Sequence, residues 1–334
     1  MPDPRDGDDR CIHAVLIEPQ LARFRHLCGL EGVPLATSFE GWHRHAVLAP
    51  DRVFLFPRDR SRVPVLRHEV TLLQALDGRG VPAARLLGRW DDREVSPYPF
   101  VAVSRLPGQT WSQREAAATL GQVEGMLESL GRALASWHRI DRRTLPPALR
   151  RRRSPHDDVT QFLATGLDAA VERVAHLLDL PPPRAAAWRG ALAEVAALEP
   201  VLVHGDVNEG QILVDDDLHV TGILDWETAH VGHPLKDFDF GEWGYGIFAW
   251  ERHFDRLRRA LWESYAAARA GRLPPWWAVH LCFCVKWADW FSCQAEPTPW
   301  QRSRLATSLD LLRRLDGAAP EARRAGVPIS GAWM

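Results

Sequence analysis

The residues best suited to chemistry lie in the stretch 200–225. A short apolar run, Val201–Val203, breaks into a polar loop that contains Asp206. The chain becomes apolar again at Ile212, turns, and ends a second apolar run on Asp225. This pattern predicts a loop followed by a tight hairpin. Pairing of these strands would bring Asp206 and Asp225 to one mouth, although they lie 19 positions apart.

Two carboxylates and an amide in this stretch suit phosphoryl transfer from a nucleotide. The donor phosphates are negatively charged, so such a site needs Mg²⁺, which prefers a few oxygen ligands together with water and phosphate oxygens. Asp225 and Gln211 are the predicted metal ligands, and Asp206 is predicted to orient the acceptor hydroxyl and take its proton. Protein kinases place the catalytic Asp five residues before a metal-binding Asn. Asp206 stands five residues before Gln211.

The loop His204-Gly205-Asp206 with the strand-end Asp225 resembles the aminoglycoside phosphotransferase and choline kinase group. Three further segments resemble parts of that group. Leu106-Pro107-Gly108 resembles the segment just after the hinge between the lobes, and Leu134-Ala135-Ser136-Trp137-His138 resembles the Leu-x-x-Leu-His helix ending. Gly232-His233-Pro234-Leu235-Lys236-Asp237 resembles the Gly-Asp-Pro-x-x-Asp segment. In this order the motifs cover roughly residues 35 to 310, which is more specific than any one of them.

The resemblance implies an α+β, bilobal protein-kinase-like fold. A small β-rich N-lobe would span residues 1–105, and a mainly helical C-lobe with the catalytic loop and acceptor pocket would span residues 106–334. ATP, with GTP as an alternative, would bind in the cleft with Mg²⁺. Ser104 and Leu106 mark the hinge, where backbone groups meet the purine.

The resemblance also implies the reaction, which is transfer of the γ-phosphate to a hydroxyl of a small molecule. An antibiotic is the preferred acceptor, in resistance or self-protection. A metabolic kinase of amino alcohols or sugars is the first alternative. A non-catalytic pseudokinase that only binds nucleotide is the second, because Gln211 replaces the usual metal-binding Asn and the N-lobe lysine is missing.

Lysine usage bears directly on this site. The chain has only two lysines, and both lie at residue 236 or later. The phosphate-binding lysine expected on the third strand of a kinase N-lobe is therefore absent. Leu55 occupies its place. Arg58 is predicted to supply the charge, with Arg44 as the weaker alternative, and Glu69 is predicted to hold the cation.

Two loops have expected roles by position. The segment 41–45 corresponds to the loop that covers the nucleotide phosphates, and its His43 and His45 are either phosphate-facing or simply exposed. Asp237 and Asp239 are expected to brace the catalytic loop. His233 stands where the family has Asp, which leaves the role of that position open.

The C-terminal region is rich in tryptophan, and the resemblance implies that it builds the acceptor pocket. Glu242, Asp289 and Glu296 are candidate substrate contacts. Polycationic aminoglycosides favour carboxylate-rich pockets, whereas this region is aromatic. The composition therefore favours a less cationic antibiotic, such as a nucleoside, a macrolide or a peptide.

Hydrophobic periodicity predicts the main elements. The predicted strands are 33–39, 46–48, 53–56, 100–103, 201–203, 212–214 and 220–224. The predicted helices are 18–30, 63–76, 123–140, 157–179, 184–198, 247–271, 275–295 and 299–316.

Composition places the chain among globular proteins. With 334 residues, 46% hydrophobic and 25% charged, it can bury one large core or two smaller ones. The formal net charge of -2 argues against a nucleic-acid partner. No apolar run approaches the roughly 20 residues that span a bilayer, and the acidic N-terminus does not resemble a signal peptide. A cytoplasmic protein with free, buried cysteines and disorder at residues 1–10 is predicted.

Overall fold

The computed structural model describes residues 15–38, 44–151, 158–239, 253–269 and 271–317. The predictions for residues 1–10, for His43 and for Glu242 fall outside this part of the chain. Two compact units are distinguished. The first comprises Met1–Gln109, Gln211–Asp215 and Thr221–Glu227, and the second comprises Thr110–Gly210, Asp216–Val220 and Thr228–Met334.

A five-stranded antiparallel sheet forms the centre of the first unit, in the order β1-β2-β3-β5-β4. Its strands are β1 (Ala36–Ser38), β2 (Arg44–Leu48), β3 (Arg52–Pro57), β4 (Leu86–Trp90) and β5 (Phe100–Ser104). Four of them match predicted strands to within a few residues. The remaining strand, β4, was not predicted, because its Leu-Leu-Gly-Arg-Trp sequence lacks alternation. Its pairing with β5 shifts register between Leu86 and Gly88.

Two helices belong to the first unit, α1 (Glu18–Cys28) and α2 (Val63–Leu76). Phe24 of α1 is fully buried, with its ring 4.8 Å from that of Phe54 and 5.9 Å from that of Phe100. Burying a side chain of this size contributes about 1.5–3 kcal/mol. Helix α2 has the predicted bounds, and Glu69 lies on its buried face beside Leu66 and Val70.

Five short strands follow along the chain: β6 (Gln109–Thr110), β7 (Val201–Val203), β8 (Ile212–Val214), β9 (Val220–Ile223) and β10 (His230–Gly232). Strands β8 and β9 are neighbours in a three-stranded sheet with β6. They confirm the predicted hairpin. Strand β7 pairs instead with β10, antiparallel, within the second unit.

The remainder of the second unit is helical. Its helices are α3 (Trp111–Arg114), α4 (Leu120–His138), α5 (Pro147–Arg151), α6 (Asp158–Gln161), α7 (Leu167–Leu177), α8 (Pro182–Ala196), α9 (Phe254–Ala268), α10 (Trp276–Ser292) and α11 (Pro299–Gly317). The predicted helix 157–179 is observed as a continuous helical segment over residues 158–177, in which a π-helical stretch, Phe162–Gly166, lies between α6 and α7. None of the helices in the described residues is long and apolar enough to cross a membrane.

Helices α4 and α9 pack closely in the second unit. A Cβ atom placed on Gly131 of α4 would lie 2.5 Å from the carbonyl oxygen of Leu261 on α9. Glycine is therefore required for this approach. The contact sets α9 against the C-terminal half of α4, and α4 ends at His138.

The cysteines of the described chain are free thiols. Cys282 and Cys284 on α10 are buried, as predicted. Cys28 is only half-buried and Cys293 is exposed, so burial was wrongly predicted for these two.

Candidate active site

The loop that carries Asp206 begins where β7 ends, in the second unit. His204 is fully buried, whereas Asp206 is exposed. Between them, Gly205 adopts the left-handed φ of 85°, and a Cβ there would lie 3.1 Å from the carbonyl oxygen of Thr228 and 3.2 Å from the His230 ring. The chain turns at this glycine from the buried strand to a solvent-facing carboxylate.

Asp237 braces this loop, as predicted. One of its carboxylate oxygens accepts the backbone N–H of His204 at 2.8 Å, and the other accepts that of Gly205 at 2.8 Å. The Asp237 side chain is completely buried. The two N–H groups next to Asp206 are thereby held in place by one buried anion.

Two side chains at the end of α4 hold Asp237 in turn. The indole N–H of Trp137 donates to its Oδ2 at 2.8 Å, and His138 Nε2 lies 3.0 Å from the same oxygen. On its other side, His138 Nδ1 lies 3.0 Å from the Tyr265 hydroxyl of α9. The Leu-x-x-x-His ending of α4 therefore supports the brace.

The pKa values in this cluster follow from burial and pairing. Burial alone would raise the pKa of Asp237, but the hydrogen bond and charge of His138, with the Gly205 N–H, lower it to about 2. Burial also lowers the pKa of His138, more than its contact with Asp237 raises it. At neutral pH Asp237 is therefore an anion, and it accepts four hydrogen bonds.

Gln211 and Asp225, the predicted metal ligands, lie at one end of the β8–β9 hairpin in the first unit. The backbone N–H of Leu224 donates to the carbonyl of Gln211 at 2.9 Å, which brings the backbone of Gln211 next to the residue before Asp225. Asp225 has a φ of 63°, which is uncommon for a residue with a Cβ. Its side chain is 36% exposed, so at least one oxygen can meet a ligand.

Arg44 of β2 links this hairpin end to α2. Its Nη1 donates to Glu69 Oε2, and its Nη2 donates to Asp225 Oδ1 at 2.6 Å. A third carboxylate, that of Glu227, lies 3.7 Å from Nη1. One guanidinium is therefore surrounded by three carboxylates, all within the first unit.

Burial would lower the pKa of Arg44, but the three carboxylates raise it above its usual range. Burial raises the pKa of Glu69 to about 7, aided by the charges of Asp225 and Glu227 and opposed by Arg44. Acidic charge thus exceeds basic charge at this hairpin end, which favours a further cation.

The partner predicted for Glu69 was wrong. Glu69 binds Arg44, the weaker alternative, and not Arg58. Arg58 follows the last residue of β3 and is exposed. It affects His45, whose pKa is lowered by burial and by the Arg58 charge. The difference arises because Arg44 projects from the neighbouring strand toward α2.

At the predicted hinge, the Ser104 N–H donates to the carbonyl of Arg85 at 2.8 Å. This donor is therefore already used within the first unit. Leu106, two residues on, lies outside the strand and is half-buried. Of the two predicted hinge residues, Leu106 is the better candidate for a backbone donor to a purine.

Asp239 does not brace the catalytic loop. Its Oδ2 accepts from the Lys286 ammonium group at 2.6 Å, and Lys286 also lies 2.9 Å from Asp158. The other lysine, Lys236, lies 3.2 Å from the same Asp158. Both lysines of the chain thus meet on one carboxylate in the second unit.

The role left open for His233 is structural. Its Nδ1 accepts the backbone N–H of Leu235 at 3.2 Å and so caps the helical turn Pro234–Phe238. Its Nε2 lies 3.0 Å from the carbonyl oxygen of Val195. A protonated Nε2 and an acceptor Nδ1 satisfy both contacts, and the ring takes the capping position that an Asp oxygen would occupy.

A magnesium ion that arrives with a nucleotide fits the hairpin end. In the described residues, no group of three or more His, Cys, Asp or Glu side chains is arranged to hold a metal. Mg²⁺ in nucleotide sites needs only one or two carboxylates, because phosphates and water complete its shell. Asp225 already holds a cation, Arg44, and Gln211 lies beside it.

Two residues of this region had little or no predicted role. Glu227 was not singled out, although an acid two residues beyond a strand-end Asp is a usable signal. Arg44 was predicted only as the weaker alternative to Arg58, because strand register is needed to tell which arginine faces α2.

A strand cation that pairs with a glutamate on the following helix is a feature that this chain shares with protein kinases. The chain belongs to the phosphotransferase enzyme family (APH), whose family model matches residues 30–279. It is therefore a transferase of the small-molecule kinase kind, as predicted.

Individual relatives agree with this family. Over 209 residues the chain is 28% identical to viomycin phosphotransferase from Streptomyces vinaceus, which covers 59% of this chain and 69% of that protein. The GDP complex of wild-type aminoglycoside 2'-phosphotransferase-IIIa superposes with a TM-score of 0.51 at 16% identity, over 89% of this chain and 98% of that one. The GDP and kanamycin complex of APH(2")-IIia gives 0.50 at 16% identity, over 87% and 98%. These structures confirm the predicted α+β kinase-like fold class.

Proposed function

We propose that this phosphotransferase moves the γ-phosphate of ATP or GTP, bound with Mg²⁺, to a hydroxyl group of an antibiotic. The exposed Asp206, on a loop held by the buried Asp237, is the observation that carries the proposal. The names of the relatives support an antibiotic as the acceptor, and the GDP complexes support a nucleotide as the donor.

Asp206 has the role of accepting the proton of the acceptor hydroxyl while that oxygen bonds to the γ-phosphorus and the bond from this phosphorus to the nucleoside diphosphate breaks. Phosphoryl transfer is accelerated chiefly by positioning and by charge stabilisation, so the fixed backbone before Asp206 matters as much as its basicity. Asp237 supplies that fixity through the N–H groups of His204 and Gly205.

Asp225 and Gln211 would hold Mg²⁺, through a carboxylate and an amide oxygen. The ion neutralises phosphate charge when it is bound. The acidic excess around Arg44 supports this assignment, because Asp225 and Glu227 bring more negative charge than Arg44 can balance. Glu69 keeps the strand cation in place.

The described C-terminal helices support an acceptor with little positive charge. Trp290 on α10 and Trp300 on α11 are 46% and 41% exposed, and both rings contact Phe291. The nearby Asp289 is engaged by Arg173 at 2.6 Å, so it is not a spare carboxylate for a cationic substrate. A nucleoside, macrolide or peptide antibiotic fits this surface better than a polycationic aminoglycoside.

The test combines a substrate panel with one variant. The purified protein is incubated with Mg²⁺ and ATP or GTP against antibiotics of these classes, and phosphorylated products are detected by mass spectrometry. Asp206→Asn should lower turnover by roughly 100-fold or more, since it removes the proton acceptor, and should leave nucleotide affinity unchanged. Asp217→Asn, an exposed acid of the hairpin turn, is the matched control and should keep full turnover.

Turnover of Asp206→Asn equal to that of the parent would refute the assigned role. Nucleotide binding without a product from any antibiotic would refute the acceptor class. Product from amino alcohols or sugars would then indicate a metabolic kinase, and no product at all would indicate a pseudokinase.

A further inference from the structure

Arg44 projects from the same sheet face as Leu55, the residue at the place of the missing lysine. In the antiparallel pairing of β2 and β3, Ala46 is opposite Leu55. Opposite residues share a face, and residues two apart along a strand share a face as well. Arg44 therefore lies on the Leu55 face, one side chain further along the neighbouring strand.

Leu55 itself cannot bind phosphate, because it is buried and apolar. Arg44 already has the partner that the lysine has in protein kinases, a glutamate on the following helix. That partner, Glu69, has only 5% of its side chain exposed. The cation that meets the helical glutamate is therefore an arginine on β2, whereas protein kinases have a lysine on the third strand.

Arg44 also occupies Asp225, the predicted metal ligand. Its Nη2 donates to Asp225 Oδ1 at 2.6 Å, while its Nη1 remains with Glu69. Mg²⁺ on this carboxylate would lie next to the Arg44 guanidinium, and the two positive charges repel each other. Repulsion by the metal therefore weakens the contact between Arg44 and Asp225.

We propose that Arg44 replaces the strand lysine as the phosphate-binding cation, and that it holds Asp225 only until a magnesium nucleotide takes that carboxylate. This inference rests on the proposed function, because it takes Asp225 as a magnesium ligand. On binding, Arg44 keeps Glu69, releases Asp225 to the metal and turns its freed N–H groups to the phosphates.

Exposure and charge determine which partner is released. Asp225 is 36% exposed and can reach incoming ligands, whereas Glu69 is buried and would be left as an uncompensated charge. The guanidinium has five N–H donors in a planar fork, so it can bind Glu69 and a phosphate at once. A single ammonium group at this position could not span Glu69 and Asp225 in the same way.

The proposed exchange predicts opposite changes in the affinities of Arg44→Ala for Mg²⁺ alone and for magnesium nucleotide. In Arg44→Ala, Mg²⁺ alone should bind more tightly, by about tenfold, because Asp225 and Glu227 lose their cation. Mg²⁺-ATP or Mg²⁺-GTP should bind more weakly, by about tenfold to a hundredfold, because charged hydrogen bonds to phosphate are lost. Both affinities are measured by titration calorimetry on the full chain, with circular dichroism as the folding control.

Arg58→Ala is the matched control, since Arg58 is an exposed arginine at the end of the adjacent strand. Both of its affinities should equal those of the parent. Arg44→Lys is the second variant, for the case that Arg44→Ala does not fold. It should bind Mg²⁺ alone more tightly than the parent and magnesium nucleotide more weakly.

The outcomes separate this inference from the proposed function. A parent protein that binds no magnesium nucleotide would overturn the proposed function. A parent that binds it, with unchanged affinities in Arg44→Ala and Arg44→Lys, would overturn the role of Arg44 alone. A parallel loss of both affinities in folded Arg44→Lys would show a merely structural role and would also overturn the inference.

Discussion

Asp237 Oδ1 lies 2.8 Å from the backbone nitrogen of Gly205, the residue directly before Asp206. A buried anion in the turn after β10 therefore determines the backbone position of the exposed carboxylate that follows β7. Because Asp237 is also held by Trp137 and His138, which lie 100 and 99 positions before it, the loop depends on side chains at the end of α4.

Asp237→Asn should reduce the free energy of unfolding by about 3 kcal/mol at pH 7, since it breaks a buried charge-assisted network. The folded-state pKa of Asp237 is about 2, below its usual 3.8. Its charge therefore stabilises the fold above pH 4, and that contribution, about 2 kcal/mol, is lost as pH falls from 4 toward 2. Denaturant unfolding at pH 7, 5 and 3 measures both effects.

The difference between parent and Asp237→Asn should narrow below pH 4. A constant difference across this range would mean that Asp237 is not ionised in the way inferred. The exposed Asp217→Asn is the control, and its unfolding free energy should stay within about 0.5 kcal/mol of the parent.

Asp225→Ala should weaken Mg²⁺-dependent nucleotide binding more than Gln211→Ala does. A charged oxygen ligand contributes more to a hard cation than a neutral amide oxygen, so the order follows from charge. Calorimetric titration of each variant with magnesium nucleotide gives the two affinities. If Gln211→Ala were the more severe change, the assignment of the metal ligands would be wrong.

Lys286→Met should destabilise the protein more at pH 8 than at pH 5. Burial raises the pKa of Asp239 to about 6, and the negative charge of Asp158 adds to that rise. The positive charges of Lys286 and Lys236 oppose it. A carboxyl with a raised folded-state pKa costs stability as pH rises from about 4 to 6. Loss of Lys286 extends that range upward, so we expect the variant to be less stable than the parent by about 3 kcal/mol at pH 8 and by less at pH 5.

Lys236→Met is the matched control, because Lys236 pairs with the more exposed Asp158 and should cost less than about 1 kcal/mol. Unfolding midpoints at the two pH values test the pair of variants. Equal losses of stability in the two lysine variants would contradict the inference that the Lys286 and Asp239 pair stabilises the fold more than the Lys236 and Asp158 pair does.

Local patterns were sufficient for most elements of this fold. Helix α2 and the strands of the hairpin were predicted with nearly the observed bounds, because their apolar periodicity is strong and their ends carry turn residues. Strand β4 was missed, since a glycine and a register shift interrupt its pattern. The π-helical stretch within the predicted helix 157–179 left no sign in the periodicity.

The segments around Asp206, Gln211 and Asp225, taken in order with the other segments that resemble the family, were enough to predict the class of reaction from the sequence. Only the tertiary structure decided that Arg44 and not Arg58 meets Glu69, and that Asp237 braces the loop while Asp239 pairs with Lys286. Such pairings depend on strand register and on burial, which set distances between residues far apart in the chain. A local sequence pattern records which groups are present, but the distances among them arise only when the chain packs.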